Sequence, residues 1–111
     1  GSTAVGRADS VEVHFTPDST ALTAVGRAVV DTTAALVQGR KSIVEVIGYV
    51  DRYGPPGPGA ELAKRRAEVV RDALVSSGVP AARVRLVKPV EIVGVGEPAQ
   101  GRHVEIRVLA D

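Results

Sequence analysis

One acid and one base stand out because of the elements on which they lie. Asp51 comes at the end of a β-branched stretch, and Arg66 lies in the second turn of an amphipathic segment that begins near residue 60. If the two converge on one pocket they suit a zwitterionic ligand, since Asp51 can bind an ammonium while Arg66 donates two parallel hydrogen bonds to a carboxylate. The alternatives are that Asp51 and Arg66 pair only with each other, or that Arg65 and Arg66 form a solvated face.

Other chemistry finds little support in the sequence. The chain has two histidines, His14 and His103, on different predicted strands, and no cysteine. Each histidine is in the outward phase of its strand, so we expect solvated side chains and no metal site. There is no Gly-x-Ser-x-Gly motif, and the glycines of residues 94–99 are not followed by the helix that a dinucleotide-binding turn requires. We therefore expect neither an enzyme nor a cofactor.

Length and composition indicate a single soluble domain. The chain has 111 residues, a hydrophobic content of 44% and a net charge of +1, which is enough for one core and argues against a nucleic-acid partner. No apolar run approaches the roughly 18 residues of a membrane span, so we expect no membrane contact by this domain. Residues 1–9 are predicted to be a cloning-tag remnant and a disordered linker, and residues 10–111 to form the domain.

Four strands are predicted from apolar periodicity. Residues 11–15 and 103–109 alternate with period two, with these side chains facing the core: Val11, Val13, Phe15, Val104, Ile106 and Val108. Residues 42–49 are apolar on both faces, which is typical of a central strand. Residues 83–87 alternate again, and residues 89–95 extend them past Pro89, which restricts this strand to a sheet edge or a bulge.

Two helices complete the predicted fold. The first follows an N-cap at Thr23, ends near Gly39, and has a buried face predicted from 3–4 spacing: Val25, Val29, Thr32 and Leu36. The second covers about residues 60–77. The order β-α-β-α-β-β predicts an α+β fold, a two-layer sandwich with two helices packed on one face of a mixed sheet.

The residues around Asp51 and Arg66 resemble the OmpA-like C-terminal domain. The match consists of several ordered motifs: Gly48, Tyr49, Asp51, Gly54, Leu62, Arg66, Ala67, Val70, Gly94, Gly96, Glu97, Arg102, Val104, Glu105 and Ile106. This family anchors bacterial envelope proteins to peptidoglycan without covalent chemistry, and its members recognise the diaminopimelate residue of the stem peptide. The resemblance covers nearly all of residues 11–109.

The resemblance implies a site, partners and a location. Asp51 would bind the amino group of diaminopimelate and Arg66 its carboxylate. The implied ligand-binding set is Asp51, Arg66, Tyr49, Val50, Gly59, Leu62 and Arg102. The partners would be peptidoglycan and other envelope proteins, and the domain would belong to a longer membrane- or lipid-anchored protein in the periplasm or cell-wall space.

Three positions depart from the family pattern. Val50, Gly59 and Ala63 stand where the family usually has Thr, Asn and Ser. Each loss removes a hydrogen bond worth about 0.5–1.5 kcal/mol, for which a stiff loop over residues 52–59, rich in proline and glycine, can compensate. The alternative function is a degenerate OmpA-like fold that acts as a protein-interaction or structural module and has lost peptidoglycan binding.

Overall fold

The computed structural model describes residues 9–52, 59–93 and 103–109. Within them, four strands and two helices are present: β1 (Asp9–His14), α1 (Ala24–Val37), β2 (Val44–Arg52), α2 (Gly59–Ser76), β3 (Val84–Val93) and β4 (His103–Val108), with a 3-10 turn at Ala81–Arg83. The predicted linker up to residue 8 and most of the predicted loops at 52–59 and 94–101 lie outside the described residues.

The strands form one mixed sheet in the order β1-β4-β2-β3. β4 is antiparallel to both β1 and β2, and β2 is parallel to β3. The interior position of β2 confirms the prediction made from its continuous apolar run. β3 is an edge strand, and its register with β2 shifts between Ile47 and Tyr49, beside Pro89. The edge position predicted from this proline is therefore confirmed.

The core lies between the sheet and the helices, which confirms the predicted α+β sandwich. Its most deeply buried large side chains come from three strands, both helices and the turn after α2: Val13, Val30, Val37, Val44, Val46, Val70, Leu74, Val79, Val104 and Ile106. The predicted N-cap is also confirmed, because the Thr23 hydroxyl accepts a hydrogen bond of 2.9 Å from the Gly26 amide. Neither described helix has the length and hydropathy needed to cross a membrane.

The predicted buried face of α1 is wrong. Val25 and Leu36 are 75% and 50% exposed, and the buried residues are Gly26, Val30, Thr33, Ala34 and Val37. Between residues 24 and 37 the only charged residues are Arg27 and Asp31, so apolar periodicity does not distinguish one face from the other. Close packing decides: a Cβ at Gly26 would lie 3.1 Å from Val13 Cγ1, a distance that only glycine accommodates without adjustment.

One predicted core residue of β1 is also exposed. Val13 and Phe15 are buried as expected, but Val11 is exposed. β1 is an edge strand, and α1 meets it at Val13. Val11, one side-chain pair further along the strand, lacks a comparable cover.

The closest contact between a helix and the sheet is at Gly48. A Cβ at this position would lie 2.5 Å from the backbone oxygen of Ala63 in α2. Because the obstacle is backbone, no rotamer change can relieve it. Gly48 therefore lets α2 lie directly on β2, which sets the depth of the helix that carries Arg66.

We expect Gly48→Ala to lower the free energy of unfolding by about 2–3 kcal/mol, because the added methyl must push α2 away from the sheet. Chemical denaturation of the variant would measure this loss. Thr32→Ala, at an exposed position of α1, is the control and should change stability by less than about 0.5 kcal/mol. A Gly48→Ala protein as stable as the control would show that the helix adjusts without cost.

Candidate functional site

The end of β2 carries two of the predicted site residues. Val50 pairs with Glu91 of β3, and Asp51 pairs with Ile92, so their backbones belong to the sheet. The side chains of residues 50–52 lie outside the described part of the chain, as does Arg102. The roles assigned to these residues stay predictions.

Arg66 is buried, and its neighbour Arg65 is exposed. Only 2% of Arg66 is accessible to solvent. The helix explains the difference, because Arg66 lies on the core-facing stripe of α2 together with Ala63, Ala67 and Val70, at spacings that share one face. The two arginines therefore do not form a solvated face together.

The Arg66 guanidinium is held by the segment that follows β1. Its Nε donates a hydrogen bond of 2.8 Å to the carbonyl of Ser19, and its Nη2 donates one of 3.0 Å to the carbonyl of Thr16. The guanidinium carbon lies 5.3 Å from the centroid of the Phe15 ring, within the range of a cation–π interaction. Carbonyl dipoles and an aromatic face thus surround the positive charge.

Sequence reasoning did not find these partners. It predicted a turn at residues 16–19 and placed Phe15 in the core, both correctly. The acceptors, however, are backbone carbonyls, which every residue has, so no residue type marks them. Only the approach of α2 to this turn makes them partners of Arg66.

Tyr49 and Arg66 lie on opposite sides of the sheet. Side chains alternate along a strand, and the preceding residue, Gly48, faces α2. The Tyr49 hydroxyl instead donates a 2.8 Å hydrogen bond to Glu105 Oε1 of β4. Its ring stacks on His103, with centroids 4.5 Å apart. Leu62, on the first turns of α2, is half-buried.

The expectation that both histidines are solvated is wrong for His103. His14 is exposed, but His103 is 9% exposed. The reason is strand order: β4 is an interior strand, so Tyr49 covers one side of the His103 ring, and His14 approaches the other at 5.7 Å. In the described parts of the chain, no group of three or more acidic or histidine side chains is arranged to hold a metal ion.

A hydrogen-bonded cluster joins β2 and β4 on the helix-free face. Glu105 Oε1 accepts from Tyr49 and also from Arg107 Nη2 at 3.1 Å. Burial opposes ionisation of Glu105, but the Tyr49 hydrogen bond and the charge of Arg107 outweigh it and lower the pKa of Glu105. Burial and the contact with Glu105 raise the pKa of Tyr49. This cluster stabilises the sheet beside the end of β2.

One of the three departures from the family pattern has a structural explanation. Ala63 is 1% exposed and packs against Gly48. A residue in this position contributes to helix–sheet packing. Its replacement of serine therefore changes the packing of α2 on the sheet, and Gly59, the first residue of α2, is the departure nearest the start of the helix.

Three comparisons relate the chain to known proteins. The profile of the OmpA family matches residues 14–101. The chain is 51% identical to outer membrane protein A of Yersinia pseudotuberculosis over 41 residues, which are 37% of the chain and 12% of that protein. The chain thus corresponds to a small part of this relative's length.

Two solved structures share the fold. The OmpA-like domain of FopA1 from Francisella tularensis has a TM-score of 0.77 at 21% identity, covering 93% of this chain and 73% of that one. The peptidoglycan-associated lipoprotein from Burkholderia pseudomallei has a TM-score of 0.74 at 24% identity, covering 89% of each chain. At these identities the likeness concerns the fold alone.

We expect Arg66→Ala to lower the free energy of unfolding by about 2–4 kcal/mol, because it leaves buried carbonyls of the turn without a donor and opens space beside Phe15. Arg65→Ala, one residue away and exposed, is the matched control and should cost less than about 0.5 kcal/mol. Equal stability of the two variants in urea denaturation would contradict a structural role for the buried guanidinium.

Tyr49→Phe should cost about 1 kcal/mol near neutral pH, because it removes a hydrogen bond to an ionised acceptor. The lowered pKa of Glu105 means that its contribution is present above its usual pKa of 4.5 and is lost as pH falls through the lowered value. The raised pKa of Tyr49 means that the stability it contributes below its usual 10.0 is lost as pH rises through the raised value.

The stability difference between Tyr49→Phe and the native protein should therefore be largest in the neutral range and shrink at both extremes. Denaturation measured across the pH range would test this shape. A difference that does not vary with pH would mean that the hydroxyl contributes through packing alone.

Proposed function

The chain belongs to the OmpA family, and from that premise we propose that it is a peptidoglycan-binding domain that anchors a bacterial cell-envelope protein. It is a binding domain rather than an enzyme. The family match over residues 14–101 supports the proposal, as does the fold shared with a lipoprotein described as peptidoglycan-associated. The similarity to an outer membrane protein supports a place in the cell envelope, as part of a longer anchored protein.

The ligand we propose is the diaminopimelate residue of the stem peptide. The observation that carries this proposal is the guanidinium of Arg66, which is held in one orientation by two hydrogen bonds from its own edge to the chain. A charge fixed before binding loses little entropy when a carboxylate arrives. Asp51, at the end of β2, is the proposed partner of the ammonium group, and together they select a zwitterion over a simple anion.

The remaining residues of the predicted set have different parts in this proposal. Val50, Gly59, Leu62 and Arg102 are proposed to line the ligand. Tyr49 acts indirectly, because its side chain is on the helix-free face and bonds to Glu105. We assign it the role of holding the end of β2 against β4, so that Asp51 is presented from an ordered strand.

The burial of Arg66 sets a condition on binding. With 2% of the residue exposed, a ligand carboxylate reaches the guanidinium only by taking the place of chain atoms that cover it. The free energy of this displacement is subtracted from that of the new charge-assisted bond, which is worth about 1.5–3 kcal/mol. We therefore expect weak binding of free diaminopimelate and stronger binding of a muropeptide, which makes further contacts.

A silent site is the second candidate, favoured by the departures at Val50 and Gly59. Both replace polar residues by residues without a side-chain hydrogen bond. Ala63 counts less toward this reading, because it packs against Gly48. The domain would then be a protein-interaction or structural module of the envelope.

NMR titration of the labelled domain with meso-diaminopimelate, and then with a soluble muropeptide, tests the proposal. We expect shifts at the end of β2 and in the first turns of α2. Asp51→Ala should abolish them, whereas Arg65→Ala, which leaves the proposed site intact, should retain them. Absence of shifts in the native domain at millimolar muropeptide would reject the proposed ligand.

A double variant distinguishes the second candidate. If the site is silent through lost polar groups, Val50→Thr with Gly59→Asn should create muropeptide binding that the native domain lacks. If the native domain already binds, the same variant should bind up to about tenfold more tightly for each hydrogen bond gained, and the silent-site reading fails.

A further inference from the structure

The turn after β1 has a geometry that depends on one residue. The Ser19 amide donates a 3.2 Å hydrogen bond to the Thr16 carbonyl, which closes a four-residue turn with Pro17 in its second position. Asp18, in the third position, has φ of +57°. Proline second and positive φ third are the features of a type II turn. We refer to residues 16–19 as the 16–19 turn.

One oxygen couples the turn to Arg66. The Thr16 carbonyl accepts from Ser19 within the turn and from Nη2 of Arg66 at 3.0 Å. Ser19, whose amide closes the turn, also presents its carbonyl to Arg66 Nε. A change in the turn must therefore move both acceptors of the guanidinium together.

These two hydrogen bonds use one particular edge of the guanidinium. A guanidinium has five N–H donors in one plane, and Nε–H and the adjacent Nη2–H point to the same side. That side-on edge donates to the turn. A carboxylate that binds Arg66 while the turn stays in place must therefore meet the other edge, formed by Nη1 and the second Nη2–H.

We propose that the 16–19 turn determines which edge of Arg66 a ligand carboxylate meets, and that Asp18 is the positioning residue of this turn. The proposal rests on the proposed function, because it assumes that Arg66 receives a carboxylate. Asp18 is exposed and acts through its backbone, since Asp tolerates the left-handed conformation that most side chains disfavour. The specificity determinant is thus a backbone conformation rather than a ligand-contacting side chain.

Two substitutions at this one position separate conformation from side-chain chemistry. Asp18→Gly removes the carboxylate but accepts positive φ freely, and Asp18→Val disfavours it. In the ligand-free domain, we expect hydrogen exchange of the Arg66 Nε–H to be about tenfold faster in Asp18→Val and nearly unchanged in Asp18→Gly. Equal exchange rates in both variants would overturn the proposal whether or not the domain binds a ligand.

The muropeptide titration then tests the edge. In the native domain we expect the Arg66 Nε–H to stay protected and its signal to move little, while the Nη signals shift. Affinity should fall about tenfold in Asp18→Val and be retained in Asp18→Gly. Loss of Nε–H protection on binding would show that the ligand takes the side-on edge, and would overturn the proposal while the proposed function survives.

Failure of the proposed function has a different signature. If the native domain binds no muropeptide but its Nε–H exchange still depends on residue 18 as described, the peptidoglycan site is rejected. The edge inference is then overturned with it, because no carboxylate is received. The dependence of exchange on residue 18 would identify the turn as a structural cap of Arg66 alone.

Discussion

The burial of one guanidinium constrains the architecture around it. A charged group removed from water costs several kcal/mol unless polar atoms are arranged about it, and Arg66 has two backbone carbonyls and the face of Phe15 for this purpose. Those carbonyls come from a turn whose closure uses the same oxygen. The start of α1, the end of β1 and the middle of α2 are thereby tied to a single side chain. In such an arrangement, stability and ligand recognition depend on the same residue.

The depth at which α2 lies is set by a glycine and a small residue in contact. At Gly48 the sheet offers no Cβ, so the backbone of Ala63 can approach it directly. Any larger residue at 48 would raise α2 and withdraw the Arg66 side chain from the 16–19 turn. The unusually close contact at Gly48 and the satisfied charge at Arg66 are therefore parts of one packing solution.

The helix-free face has a separate task. There, Tyr49, His103 and Glu105 form contacts that cross from β2 to β4, next to the end of β2. Holding this strand end by side chains on the far face leaves the helix side available for Arg66 and its turn. The polar network thus supports the site from behind without contributing a ligand contact.

Much of the fold follows from local pattern. The apolar run of β2 indicated its interior position, Pro89 indicated an edge strand, and Thr23 marked the start of α1, because burial on both faces, a missing N–H and a capping hydroxyl are local properties. The charges of Asp51 and Arg66 likewise suggested a zwitterionic ligand before any contact was known. Where two faces were equally apolar, as at Val25 and Leu36, pattern chose the wrong one.

Tertiary structure decided what depends on neighbours distant in the chain. It determined that His103 is buried, because β4 lies between β1 and β2, and that Tyr49 points away from Arg66, because Gly48 faces α2. It also supplied the acceptors of Arg66, which are carbonyl oxygens common to all residues. Sequence by itself determines which chemical groups are present and which elements carry them. Their burial and their partners follow only from packing, since both depend on what the rest of the chain places against them.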